Sequence, residues 1–245
     1  MGILSRLSHL GKQVQFKSLR LRREDCHCCR KRLLVRLNDN EMGIRCVFCG
    51  ASAVAQSLAR VFHQKTMHAK SLAVYELSGR GAFVRMLYKT DHHITVSEYF
   101  PETPIGTIVN GIQCQDVQQL SFADEQFDVC TSLEVFEHVE DDFQGFSELY
   151  RVLKPGGFTL FTVPIDLNQT TIERTAIIAG HRQAILPPEY HSDKLRGHGQ
   201  VFCFRNYGHD ITDRLQQIGF RQAQIIRPQP DDLFGWGRPV IYAKK

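Results

Sequence analysis

Four of the eight cysteines in this 245-residue chain stand at a spacing that binds metal: Cys26-x2-Cys29, sixteen intervening residues, then Cys46-x2-Cys49. Two such knuckles can close a tetrahedral thiolate shell around one ion, so Cys26, Cys29, Cys46 and Cys49 are the expected ligands of structural Zn2+. Cys28 rivals Cys29, because a C-x-C pair also reaches a metal in a distorted loop. Cys114, Cys130 and Cys203 are isolated and read as core or near-core thiols. A second chemical pattern begins at Glu76, where a turn with Gly79 and Gly81 follows an apolar run, and Glu98 comes 22 residues later. In a doubly wound sheet this spacing places the Glu98 carboxylate beside the ribose of a nucleotide-like ligand, able to accept from both hydroxyls.

These groups need particular elements to hold them. Ala73-Val74-Tyr75 reads as a short buried strand, Phe83 to Tyr88 as the start of a helix, and Ile94 to Ser97 as a second strand. A third strand follows in Gly111–Phe122, ahead of Asp116, and Phe127–Glu134 reads as a fourth strand opening into a helix. Glu134 and His138 would then share one helical face. Arg151–Pro164 gives a helix end, a Pro-Gly-Gly turn and an apolar strand. The alternation predicts an α/β fold with a Rossmann-like, doubly wound, mostly parallel sheet of seven strands. On the amino-terminal side, residues 33–37 and 43–45 flank the polar turn Asn38-Asp39-Asn40-Glu41, as in the hairpin of a zinc ribbon. The expected organisation is a basic segment at 1–25, a zinc-ribbon-like module at 26–50, a linking helix at 51–69 and an α/β domain at 70–245.

Five segments in order, ELSGRGA, SEYF, CQDVQQLSF, FDVCTSLEVFEHV and RVLKPGGFTLFTVP, resemble class I methyltransferases that use S-adenosylmethionine, in the branch called methyltransferase type 11. The resemblance covers residues 70–220. It implies that Glu76, Ser78, Gly79 and Gly81 face the methionine portion of the cofactor, Glu98 with Tyr99 the ribose, and Asp116 with Val117 the adenine. Ser132 and Leu133 would border the methionine and the methyl group. The family turn usually carries three glycines, and here Ser78 and Ala82 take the first and last places. A GK[ST] phosphate loop is absent, which disfavours nucleotide-phosphate chemistry.

A sulfonium methyl is already activated, so such an enzyme mainly aligns the acceptor and excludes water, and a hydroxyl acceptor also needs a base. The polar insertion at 166–207 holds His181, Glu189, Tyr190, His191, Asp193 and His198, and the family likeness makes it a lid over the acceptor. His191 is the expected base, with Asp193 as its partner. Charge is uneven: residues 1–50 hold eleven Lys and Arg against four Asp and Glu, whereas the whole chain carries +4. The basic module suggests an anionic partner, and Ile3, Leu7, Leu10 and Val14 at helical spacing could lie on a membrane surface. No apolar run is long enough to span a membrane, and nothing resembling a secretory signal precedes the cysteines, which favours a cytoplasmic, disulfide-free chain. The expected function is methylation of a small-molecule or glycan acceptor at a hydroxyl. The alternatives are an RNA methyltransferase that uses the basic zinc module as a nucleic-acid contact, and a cofactor-binding scaffold without catalysis. Oligomeric state leaves no signature in the sequence.

Overall fold

A computed structural model of the chain describes residues 15–193 and 199–245, without the side chains of residues 42, 192 and 193. The expected helix through Ile3 and Val14 lies outside the described residues. The chain divides into two compact units, residues up to 70 with 80–92 and 226–240, and residues 71–79 with 93–225 and 241–245.

In the first unit, β1 (Arg20–Asp25), β2 (Arg32–Arg36) and β3 (Ile44–Cys46) form an antiparallel sheet in that order. Each CxxC knuckle closes in the same way. The N–H of the residue after the second cysteine bonds back to the first cysteine's carbonyl, Arg30 to Cys26 at 2.8 Å and Gly50 to Cys46 at 2.9 Å. Both closing residues are left-handed, with φ of 64° at Arg30 and 73° at Gly50. After the second knuckle, helix α1 (Ala53–Thr66) starts where the Ser52 side chain accepts from the Ala55 N–H at 3.2 Å. Val61 and Phe62 are buried on it, and Phe62 meets Phe83 of the short helix α2 (Ala82–Leu87) edge to face.

The second unit is built on an eight-stranded sheet. Its strands are β4 (Ala73–Glu76), β5 (His93–Glu98), β6 (Ile108–Val109), β7 (Ile112–Cys114), β8 (Phe127–Leu133), β9 (Leu153–Thr162), β17 (Gln222–Ile226) and β18 (Val240–Lys244), in the spatial order β17-β18-β9-β8-β4-β5-β7-β6. Pairs β4–β5, β4–β8, β5–β7 and β8–β9 are parallel, whereas β18 on β9 and β6 on β7 are antiparallel. Seven strands carry the expected doubly wound sheet, and the two-residue β6 adds an edge. The strand order runs one way from β4 to β5 and the other way from β8 to β9, so the switch point falls between β4 and β8. Helices α3 (Asp142–Val152) and α4 (Ile211–Ile218) cover the sheet through a core that includes Phe127, Phe136, Phe146, Phe161 and Leu215.

The fourth strand does not open into a helix. Glu134 turns left-handed at φ 50°, Phe136–His138 make one 3-10 turn, and α3 begins only at Asp142. Glu134 and His138 therefore share no helical face, and a helix dipole has no part at Glu134. The insertion consists of short strands: β10 (Ile165–Asp166), β11 (Ile172–Glu173), β12 (Thr175–Ile178), β13 (His181–Ala184), β14 (Tyr190–Asp193), β15 (Gly199–Phe202) and β16 (Arg205–Gly208). β12 pairs with β13 and β14 with β15 as hairpins, while β16 returns between β10 and β11.

The return is fixed by Arg205, whose guanidinium donates to the carbonyls of Val139 at 2.6 Å, Glu140 at 2.8 Å and Phe136 at 3.1 Å. Arg214 binds Asp142 at 3.0 Å and Glu173 at 2.6 Å, and Tyr207 donates to Asp142 at 2.9 Å. Gly208 ends the strand where any β-carbon would lie 2.2 Å from the Gln169 carbonyl. Among the described residues, no helix is long and apolar enough to cross a membrane.

Candidate functional site

At the carboxyl end of β4, Glu76 is completely buried and faces Thr131 across the parallel ladder. The Thr131 hydroxyl donates to its carboxylate at 2.5 Å. Burial pushes the Glu76 carboxyl up to about 8, against the hydrogen bonds from Thr131 and Ser78 and with help from the neighbouring Glu98. Nearly two turns of helix and one strand later, Glu98 closes β5, buried to 2% exposure, and its carboxylate accepts from the Gly79 N–H at 3.0 Å. A larger residue at this position would have to displace its neighbours. A β-carbon at Gly79 would stand 2.6 Å from Ile112 Cδ1 and 3.3 Å from Glu98 Cγ. Gly81, with φ 114°, lies in the other compact unit at the start of α2.

Asp116 follows β7 half-buried, and its carboxylate accepts from the Gln118 backbone N–H at 2.8 Å, an Asx turn that also buries Val117. Tyr99 is half exposed. Ser132 is buried at the end of β8 with Leu133 after it, and the Ser132 hydroxyl finds no partner among the described residues. Within the second unit, strand ends on both sides of the switch point thus present Glu76, Glu98, Asp116 and Ser132, with Gly79 held against Glu98. Buried carboxylates at such a point suit a ligand that carries hydroxyls and a positive charge.

Beyond β8, the chain reaches a polar cluster. Glu137 is buried at the 3-10 turn, its Oε1 3.7 Å from His138 Nε2 and 3.9 Å from His191 Nδ1. The His138 and His191 rings meet edge to face at 5.1 Å, and the buried Cys203 sulfur lies 3.8 Å from His138 Nδ1. His191 thus has an acid at each ring nitrogen, and the nearer among the described residues is Glu189, at 3.3 Å from Nε2. The Asp193 side chain and all of His198 lie outside them. Burial would raise Glu189, but the hydrogen bond from Asn206 and the charge of Arg174 hold it below the usual carboxylate range. Cys203 is buried, as expected of a core or near-core thiol, and has His138 beside it. Glu189 pairs with His191 from only two positions away, whereas the role of Arg205 has no local signature, because it meets its partners through the fold and reaches Phe136 across 69 positions.

Cys26, Cys29, Cys46 and Cys49 gather with all their sulfurs within 4.8 Å of one another. Cys26–Cys49 and Cys29–Cys46 are each 3.6 Å apart. A tetrahedral zinc with Zn–S bonds of about 2.3 Å has sulfur edges of about 3.8 Å, so this donor set fits the ion. Burial pushes the Cys49 thiol up, and a bound cation would reverse that shift. Cys28 turns away, donating toward the Ala55 carbonyl of α1 at 3.7 Å, which removes it as a rival of Cys29.

Residues 75–161 match the family model described as a methyltransferase domain. The fold is similar to that of the glycopeptide N-methyltransferase MtfA, solved with S-adenosyl-L-homocysteine, at TM-score 0.50 and 18% identity over 79% of this chain and 90% of that one. It is similar also to a chain from the complex of the Haloferax volcanii Trm112 methyltransferase activator with a methyltransferase, at TM-score 0.50 and 16% identity over 78% and 89%. A 49-residue stretch is 49% identical to the biotin biosynthesis bifunctional protein BioHC of Teredinibacter turnerae, spanning 20% of this chain and 9% of that protein. The match to this curated relative thus takes in less than a tenth of its length.

Proposed function

We propose that this chain, which carries a methyltransferase domain on the fold of S-adenosylmethionine-dependent methyltransferases, moves the methyl group of S-adenosylmethionine to a hydroxyl of a small-molecule or glycan acceptor. The observation that carries the cofactor reading is the pair Glu76 and Glu98, buried acids at the ends of adjacent parallel strands with Gly79 bonded to the second. Glu76 with Ser78 and Gly79 would face the methionine portion, where an ammonium would draw the raised Glu76 carboxyl into its ionised form. Glu98 and Tyr99 would hold the ribose, Asp116 and Val117 the adenine, and Ser132 with Leu133 the neighbourhood of the methyl. The cofactor supplies an activated methyl, and the protein's part is alignment and the exclusion of water.

On the acceptor side, His191 is our candidate for the group that takes the hydroxyl proton. Its Nε2 faces the ionised Glu189, which fixes the tautomer and leaves the Nδ1 lone pair available. The four-cysteine cluster would hold Zn2+ as a structural ion, since four thiolates leave no open position for substrate.

The test is transfer of labelled methyl to separate panels of glycans, small hydroxylated metabolites and RNA, by wild-type protein and by His191→Gln. Labelling within the first two panels, slowed about a hundredfold or more in the variant, is the expected result. Labelling of RNA alone would replace the acceptor assignment, and an undiminished rate in the variant would remove His191 as the base.

A further inference from the structure

We infer that Glu137, His138, His191 and Cys203 form a second metal site, one for a borderline-soft divalent ion such as Zn2+, which ties the β14–β15 hairpin to the end of β8. The donor atoms come from three places in the chain: the 3-10 turn after β8, strand β14, and the residue after β15. One ligand atom from each of His138, His191 and Cys203 lies within 4.8 Å of the others. Glu137 adds a carboxylate oxygen 3.7 and 3.9 Å from the two imidazoles.

The hydrogen bonds around the cluster orient both rings for an ion. His138 Nδ1 sits 2.8 Å from the Phe202 carbonyl, and a carbonyl only accepts, so the proton is on Nδ1 and the lone pair on Nε2. His191 Nε2 faces the Glu189 carboxylate, so its lone pair is on Nδ1. The two lone pairs are the ring nitrogens nearest Glu137. Metal-binding histidines are held in this way, with the second ring nitrogen donating to a backbone carbonyl or a carboxylate. Glu189 is itself fixed by Arg174 at 2.9 Å and Asn206 at 3.1 Å.

The donor chemistry selects the ion. Imidazole nitrogen and thiolate suit Zn2+, Co2+ or Ni2+, whereas Mg2+ and Ca2+ prefer oxygen shells. A tetrahedral shell with bonds of about 2.0 to 2.3 Å has edges of about 3.3 to 3.8 Å; Cys203 Sγ, which lies 3.8 Å from the Nδ1 edge of His138, turns about its χ1 toward Nε2 to complete the set. The site needs neither the cofactor nor the four-cysteine cluster. An ion held there occupies the Nδ1 lone pair of His191, so the proton-accepting role proposed above belongs to the protein with this second site empty.

The experiment is metal analysis of the full chain after incubation with excess Zn2+ and desalting, for wild type, His191→Gln, Cys203→Ser and Cys46→Ser. The wild type should hold about two ions per chain, and His191→Gln and Cys203→Ser about one each. With Co2+ in place of Zn2+, these two variants should lose a visible band while keeping the spectrum of a four-thiolate site. His191 is partly exposed, so its variant remains informative if Cys203→Ser fails to fold. Cys46→Ser should lose the thiolate spectrum and keep the other. One ion per chain in the wild type, unchanged in His191→Gln and Cys203→Ser, would overturn the second site. S-adenosylmethionine binding, measured on the same samples, reports separately on the cofactor reading.

Discussion

The carboxyl end of the sheet and the insertion at 165–208 solve the problem of placing polar groups by opposite means. At the sheet end, carboxylates are positioned by parallel strands that pair on both sides, so that Glu76 is locked between β5 and β8 before any ligand arrives. The insertion consists of strands of two to four residues that pair mainly with one another, and its position depends on side chains, above all Arg205. A rigid ladder suits a cofactor of constant shape. A hairpin assembly hung on a few ion pairs is the kind of element in which acceptor preference can vary without disturbing the sheet.

If that contrast holds, the largest effect belongs to the anchor of the insertion. Arg205→Met should cost about 3 to 5 kcal/mol in urea unfolding, because it takes the buried guanidinium donor from three backbone carbonyls. A loss below about 1 kcal/mol would mean that the insertion does not depend on this residue. At the sheet end, Gly79→Val should weaken S-adenosylmethionine binding by about a hundredfold or more with the fold intact, since its side chain must displace Ile112 or Glu98. Circular dichroism and titration together check this, and tight binding by a folded variant would show that the turn is adaptable.

Next comes the pH dependence set by Glu76. Its carboxyl in the free protein is raised to about 8, so it is mostly protonated at about pH 6.5 and mostly ionised at about pH 9. A cationic ligand prefers the ionised form, and affinity should therefore rise by about tenfold per pH unit at most through this range and level off above it. Glu76→Gln should flatten the profile. The same raised group makes the free wild type lose stability as pH climbs from the ordinary carboxylate range toward 8, because the unfolded chain releases the proton earlier.

The smallest effect compares the two knuckles of the first unit. Gly50→Ala should lower the melting stability by about 1 kcal/mol, and Arg30→Gly should raise it by about 0.5 to 1 kcal/mol, because both positions are left-handed and only one holds glycine. Equal signs for the two would contradict the shared geometry.

Much of the sheet end was legible in the sequence. The runs Ala73–Tyr75, Ile94–Ser97 and Phe127–Leu133 are apolar or β-branched enough to mark buried strands, and the acid at 98 follows from the length of one crossover. The cysteine spacing is a covalent constraint of the same kind, readable because both knuckles are local. The stretch from Glu134 to His138 was not readable, since an apolar pair between acids fits a helix as well as a 3-10 turn, and only the left-handed Glu134 decides it. The insertion's short, half-exposed strands carry too few residues for a hydrophobic period to form. The neighbourhood of Cys203 joins positions 65 apart, and no local pattern announces such a meeting.

The most direct test of the cofactor site is isothermal titration of metal-analysed protein with S-adenosylmethionine, comparing wild type with Glu98→Ala. The predicted result is micromolar binding that falls by about a hundredfold in the folded variant, because the carboxylate that orders Gly79, and that would meet the ribose under the proposed reading, is gone. Absence of binding in folded, zinc-loaded wild type, or equal affinity in the variant, would contradict the assignment of the sheet end as the cofactor site.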